Sequence, residues 1–159
     1  MGRPRRYWLL KTEPGEWSWE DQQRFSGGVA PWDGVRNRQA QKNMKAMAEG
    51  DLCFFYHSGR RPAERRVVGV VEVVKPWYAT GGDGGEGAVD VRAVGEMRRS
   101  VGLKEIKEEP AMAAFGLVRQ PRLSVVPVPE EVWEKVCEMG GGFEEGEEEE
   151  EKGEDQGEA

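Results

Sequence analysis

The sequence is poor in the residues that most metal and nucleophile chemistry needs. Its 159 residues include two cysteines and one histidine. Cys53 and Cys137 belong to no CxxC or other zinc spacing, so no metal and no cofactor is expected. Each lies in an apolar pattern, as a small buried hydrophobe would. Long apolar runs are also missing. No stretch could span a membrane, and Tyr7–Leu10 is too short for a signal-peptide core. Arg6 breaks the myristoylation pattern that Met1-Gly2 begins. These absences predict a soluble, intracellular chain with no membrane partner. GxSxG, P-loop and dinucleotide motifs are absent, as are the HxE and CxxC elements of a zinc deaminase. Glu13, His57 and Ser58 invite a hydrolase triad. Adjacent strand residues leave opposite faces, however, so His57 cannot bond Ser58. An enzyme is not expected.

Positive charge is scarce only on average. The chain carries −7, but Glu144–Ala159 holds ten acidic residues against one lysine, a net of −9. The remainder is therefore close to +2. Residues 1–75 hold fourteen Lys or Arg against nine Asp or Glu. A mildly basic body joins an acidic tail that has no apolar seed for a core. Disorder is expected over 140–159, because such a segment cannot offset its ordering entropy by burial. The tail reads either as a solvated solubility segment or as a nucleic-acid mimic that competes for a basic face.

Tyr7–Lys11 has the length of a strand. Ser18 and Asp21 form a capping box that opens a short helix to Arg24. Ser26–Pro31 reads as loop, and Trp32–Asn37 as too rich in turn residues for regular structure. Asn37 can cap a helix over Arg38–Glu49 with Ala40, Met44, Met47 and Ala48 inward. Leu52–His57 and Val67–Val74 are strong strands, the second ending at Lys75-Pro76. Ala79–Gly87 is a glycine-rich loop, and Val89–Val94 a strand. Two short helices follow over Leu103–Glu109 and Ala111–Val118. Arg122–Val128 is a strand. Pro129 at N1 opens a last helix to Met139, with Val132, Trp133 and Val136 inward. Without βαβ repeats, the order predicts an α+β domain on a small mixed β-barrel with inserted helices.

Four segments stand out: Tyr7-Trp-Leu-Leu-Lys-Thr-Glu-Pro14, Trp32-Asp-Gly-Val-Arg-Asn37, Phe54-Phe-Tyr-His-Ser58 and Arg122-Leu-Ser-Val125. Together with Gly69-Val-Val-Glu-Val73, they resemble the EVE domain family in order and spacing, over about residues 6–138. The resemblance implies a PUA-like barrel related to the YTH domain. It implies residues 1–5 as a short basic lead, 6–139 as the domain and 140–159 as the tail. It also implies a reader that takes a flipped modified base, 5-methyl- or 5-hydroxymethylcytosine in DNA, without acting on it. A module for modified RNA and a protein-interaction module working through the tail are the alternatives. The chain is expected to act as a monomer, in the nucleus or in nucleus and cytoplasm. Two departures stand out. Gly15 replaces a common serine, and Tyr78-Ala-Thr replaces the family's usual Tyr-Pro-Asp.

A flipped base needs flat apolar walls, hydrogen-bonding groups for its edge and cations for its phosphates. Trp32 is the candidate stacking wall, or else it packs the helix onto the barrel. Val35, beside it in the same motif, joins the pocket by resemblance. Glu13 can accept from a cytosine amine or pair with Lys11, which lies on the same side of the strand. Arg36 has no visible structural duty, whereas Asn37 has one as a helix cap. Phe54, Tyr56 and Ser58 share one strand face; Cys53, Phe55 and His57 share the other. A lone histidine is often a satisfied structural group, yet the resemblance sets Tyr56, His57 and Ser58 at the pocket mouth. Ser124 is a similar candidate. Arg38, Lys42 and Lys45, with Arg60, Arg61, Arg65 and Arg66, could cradle the phosphates or form solvated charged surfaces.

Overall fold

The computed structural model describes residues 4–81 and 85–145. Met1–Arg3 of the basic lead, positions 82–84 of the glycine-rich loop and 146–159 of the tail lie outside the described residues. Strands β1 (Tyr7–Thr12) and β3 (Leu52–His57) run parallel and side by side, Tyr7 opposite Leu52 and Thr12 opposite His57. Both therefore deliver their C-terminal ends to the same edge. Ser18 and Asp21 close the expected capping box, so that α1 (Trp19–Arg24) starts immediately above that edge.

Six strands form one path, in the order β2 (Val29–Trp32), β5 (Gly87–Gly102), β4 (Arg66–Ala79), β3, β1 and β6 (Val125–Val128). All pairings on it are antiparallel except β1 with β3. Helix α2 (Arg38–Lys45) spans between the two ends of this path. Asn43 Nδ2 donates to Val125 O of β6 at 2.8 Å, and Gln41 Nε2 donates to Gly87 O of β5 at 3.2 Å. One buried helix side thus ties the last strand to the strand that carries β2, curling the sheet into the mixed barrel expected. Leu9, Leu10, Phe54, Phe55, Val70 and Val71 are fully buried at its centre. On one flank Trp133, of α5 (Glu130–Met139), stacks on Phe54 at 3.9 Å and on Tyr7 at 4.5 Å.

Several boundaries differ from expectation. Ala30 and Trp32 are buried in β2, where loop and turn were expected. Helix α2 stops at Lys45, four residues early. Buried Asp51 accepts the Ala48 N–H at 3.0 Å and draws the chain off the helix, while also taking Trp8 Nε1 and Arg6 N. Strand β4 continues past Pro76, which falls inside the register shift between Lys75 and Tyr78, where a missing donor costs no ladder bond. Strand β5 runs on to Gly102, burying Met97 and Val101. Leu103–Glu108 is helix α3. Ala111–Val118 is not one helix: a 3-10 turn at Pro110–Met112 precedes α4 (Gly116–Arg119), because Phe115 takes an extended backbone that buries its ring. Only the last part of Arg122–Val128 is strand, and Pro129 is the N-cap of α5 rather than its first residue. Phe143–Glu145 forms β7 against Met97–Gly95 of β5, so sheet pairing enters the segment expected to be tail.

Candidate nucleic-acid interface

The parallel pairing of β1 and β3 builds a cleft of about 740 Å³. Glu13 follows β1, His57 ends β3, and the β3–β4 connection supplies Arg60, Arg61 and Glu64; Pro14, Gly15 and Arg66 complete the lining. Residues far apart in the chain, Glu13 and His57 with Arg60 and Arg61, are thus brought to one cleft. Their states differ. Arg60 and Arg61 are exposed. Arg65 spends its guanidinium on Gly59 O and Arg60 O, and Arg66 on Ser100 and, at 3.6 Å, on Glu105. The second pair holds the loop and β5; among the described residues the side chains of the first make no such bond.

His57 is fixed from behind. Its Nε2 accepts the Trp19 backbone N–H at 3.0 Å. Burial pushes its pKa below the usual value, against the pull of Glu20, so the ring is neutral at pH 7. With Nε2 accepting, the proton sits on Nδ1. Behind His57 stands an aromatic cluster. Phe55 meets His57 at 5.8 Å, Trp19 at 5.2 Å and Trp32 at 5.5 Å, all edge to face. Trp19 packs over Gly69, where a Cβ would fall 2.6 Å from the indole, and only glycine leaves that room. Among the described residues the buried Trp19 Nε1 has no acceptor. Such a donor costs about 1–3 kcal/mol. Nothing in the sequence signals that this N–H would be left without a partner.

The remaining candidates fall elsewhere. Trp32 is 7 % exposed and Val35 8 %, both in the core cluster. Tyr56 is buried, and burial drives its hydroxyl pKa up to about 12. Ser58 Oγ donates to Thr12 O at 3.2 Å. Arg36 is exposed, and Asn37 Oδ1 caps α2 by accepting Ala40 N at 2.8 Å. Asn37 also lines a second cleft of about 410 Å³ with Gln39, Gln120, Pro121, Arg122 and Leu123. Lys11 borders this region: its Nζ donates to Pro121 O at 2.8 Å, its backbone N–H to Ser124 O, and burial lowers its pKa to about 8. Gln39, Gln120 and Arg122 were missed as lining residues because only tertiary folding brings 120–123 over α2. Arg38, Lys42 and Lys45 stand exposed on α2, with Lys45 Nζ 4.7 Å from the centre of the Trp77 ring.

Strong nucleophiles are not prepared here. Burial raises both thiols, Cys137 to about 11 and Cys53 further. His57 and Ser58 are committed to different partners. Among the described residues no group of three or more His, Cys, Asp or Glu could hold a metal, and no helix is long and apolar enough to cross a membrane.

The curled mixed sheet, bridged by α2 and bearing its clefts at the strand ends, is a PUA-like α+β domain. The chain belongs to the EVE domain family, whose pattern matches residues 6–139. Thymocyte nuclear protein 1 of Mus musculus is 31% identical over 84% of this chain and 73% of its own length. A crystal structure of a protein from Agrobacterium tumefaciens is 45% identical, with a TM-score of 0.80 over 86% of this chain and 94% of its own. Human THYN1 protein in complex with 5-methylcytosine-containing DNA is 27% identical, with a TM-score of 0.77 over 85% and 97%. A YTH domain of Zygosaccharomyces rouxii, solved with N6-methyladenosine RNA, shares the fold at 16% identity and a TM-score of 0.53 over 87% and 90%.

Proposed function

We propose that this chain reads a modified nucleobase, 5-methyl- or 5-hydroxymethylcytosine flipped out of DNA, and does no chemistry on it. The observation that carries the reading is the arginine-lined cleft backed by aromatics. Exposed Arg60 and Arg61 stand at its rim, neutral His57 in its wall, and Phe55, Trp19 and Trp32 behind. The kinship with a protein solved on 5-methylcytosine DNA supports the choice of base.

The energetics fit a binder. Flipping costs a few kcal/mol, and one aromatic stack returns about 1–3 kcal/mol. Edge bonds and phosphates supply the difference. Glu13 would accept from the cytosine amine, and the unpaired Trp19 N–H would donate to a base acceptor. Arg60 and Arg61, with Arg38, Lys42 and Lys45 of α2, would take phosphates, while Arg36 and Asn37 flank the strand. Trp32 would serve as a wall once the ligand opens the edge of the cluster. Val35 and Tyr56 would support that wall from within the core, Ser58 would tie β3 to β1 through Thr12 O, and Lys11 and Ser124 would hold the border of the second cleft. Action as a monomer in the nucleus completes the proposal.

The test is a binding panel of matched DNA and RNA oligonucleotides carrying cytosine, 5-methylcytosine, 5-hydroxymethylcytosine or N6-methyladenine, at one salt concentration. Tightest binding to a modified-cytosine DNA is expected. Equal affinity for every base would remove the reader function. Preference for a modified RNA would reassign the polymer.

A further inference from the structure

A second aromatic, outside the cleft, is held in a way that packing alone does not require. The Trp77 indole lies across Gly87, where a Cβ at residue 87 would clash with the Cε2, Cζ2 and Nε1 atoms of the ring. Its Nε1 donates to Gln41 Oε1 at 2.9 Å. Gln41 is itself locked: its Nε2 donates to Val35 O and Gly87 O, and its Oε1 also accepts Gly87 N–H. The ring is therefore fixed in position while remaining half-buried at the surface. Lys45, one turn beyond Gln41 on α2, carries its ammonium over the ring. Lys42 and Arg38 stand exposed on the same helix.

The sheet relates this ring to Trp32. Trp32 pairs with Val89, and Gly87 lies two residues from Val89, so both belong to one face of β5. Strand β4, which carries Trp77, and β2, which carries Trp32, flank β5 on either side. Two strand spacings put their backbones about 10 Å apart, roughly three 3.4 Å nucleotide steps.

The geometry points to Trp77 and Lys45 as a stacking subsite for a nucleotide flanking the one that is read. The inference rests on the base-reading proposal and adds to it. The flanking base stacks on the rigid indole and displaces the Lys45 ammonium, which then meets that nucleotide's phosphate. Stacking on an aromatic face tolerates any base. The subsite thus adds affinity without choosing the modification.

The experiment uses the full chain and a duplex with one 5-methylcytosine. An abasic nucleotide is placed in turn at each of the three positions on either side. The parent is expected to lose about 5-fold or more at one position. Trp77→Leu should lose the same on the intact duplex and nothing further at that position, with the ratio of modified to unmodified binding unchanged. Trp77→Phe should restore most of the affinity. Lys45→Met, a change at an exposed side chain, should lower the salt slope of binding by about 0.9. An equal Trp77→Leu loss on intact and abasic duplexes overturns the subsite while leaving the reader intact; an unchanged slope for Lys45→Met overturns it too and removes Lys45 from the reader's phosphate contacts. Loss of modification preference in Trp77→Leu moves Trp77 to the read base and overturns it too. A parent that binds no nucleic acid removes both proposals together.

Discussion

Replacing Arg60 and Arg61 together by alanine separates free arginines from tied ones. Both side chains are exposed on the cleft, whereas Arg66, in the same lining, is spent on Ser100 and Glu105. Each phosphate contact contributes about 0.9 to the slope of log affinity against log salt on duplex DNA. The double variant should therefore show a slope shallower by about 1.8. Between 50 and 200 mM salt this difference amounts to about 12-fold: the parent weakens by that much more than the variant. The ratio of modified to unmodified binding should not change, because phosphates carry no base identity. Arg66→Ala should do the reverse, lowering the melting temperature through its lost bonds while leaving the slope alone. Fluorescence anisotropy titrations at four salt concentrations, with thermal melts of each variant, read all of these. An unchanged slope in the Arg60/Arg61 variant, or a changed one in folded Arg66→Ala, would refute the division of the cleft into contact and scaffold.

Three further outcomes are expected. Trp32→Phe, which keeps the core filled, should bind a modified-cytosine duplex more tightly than Trp32→Ala, and Trp32→Ala should lose at least about 1 kcal/mol; equal binding by a folded Trp32→Ala protein removes the wall. The folded-state pKa of His57 is depressed, so between the ordinary value of 6.5 and that lower value the unfolded chain binds more protons. Stability should therefore fall as pH drops below about 6.5, and denaturant melts of His57→Gln should show a flatter acid limb. Deleting residues 146–159 should leave nucleic-acid binding at least as strong at low salt, as titrations of the truncated chain would show. Abolished binding would instead support the tail as the working part.

Much of the fold was legible because its cues are local. The Ser18–Asp21 box and the Asn37 cap are short-range bonds between neighbours, and both formed as read. The cores of β1, β3 and α5 followed from apolar residues at the right period. Boundaries failed where tertiary contacts fixed a group: Asp51 is held by Trp8 Nε1 and Arg6 N–H from the far N-terminal segment. Asp51 ended α2 by taking the Ala48 N–H, and pairing with β5 carried β4 through Pro76. A proline usually stops a strand; a bulge that needs no donor removes the reason.

The site was legible as a set of residues but not as an arrangement. Glu13, His57, Arg60 and Arg61 share a cleft only because β1 and β3 are parallel, and strand pattern alone does not give direction. Alternation did place Phe55 and His57 on one face, and that face proved to be the one Trp19 and Trp32 cover. It could not tell which aromatic would keep an unpaired polar atom. Trp8 and Trp19 look alike as core tryptophans, yet among the described residues Trp8 Nε1 ends on Asp51 and Trp19 Nε1 meets no acceptor. The same contrast divides Arg60 and Arg61 from Arg65 and Arg66. In each case the bonds a side chain already has within the protein decide whether it remains available to a ligand.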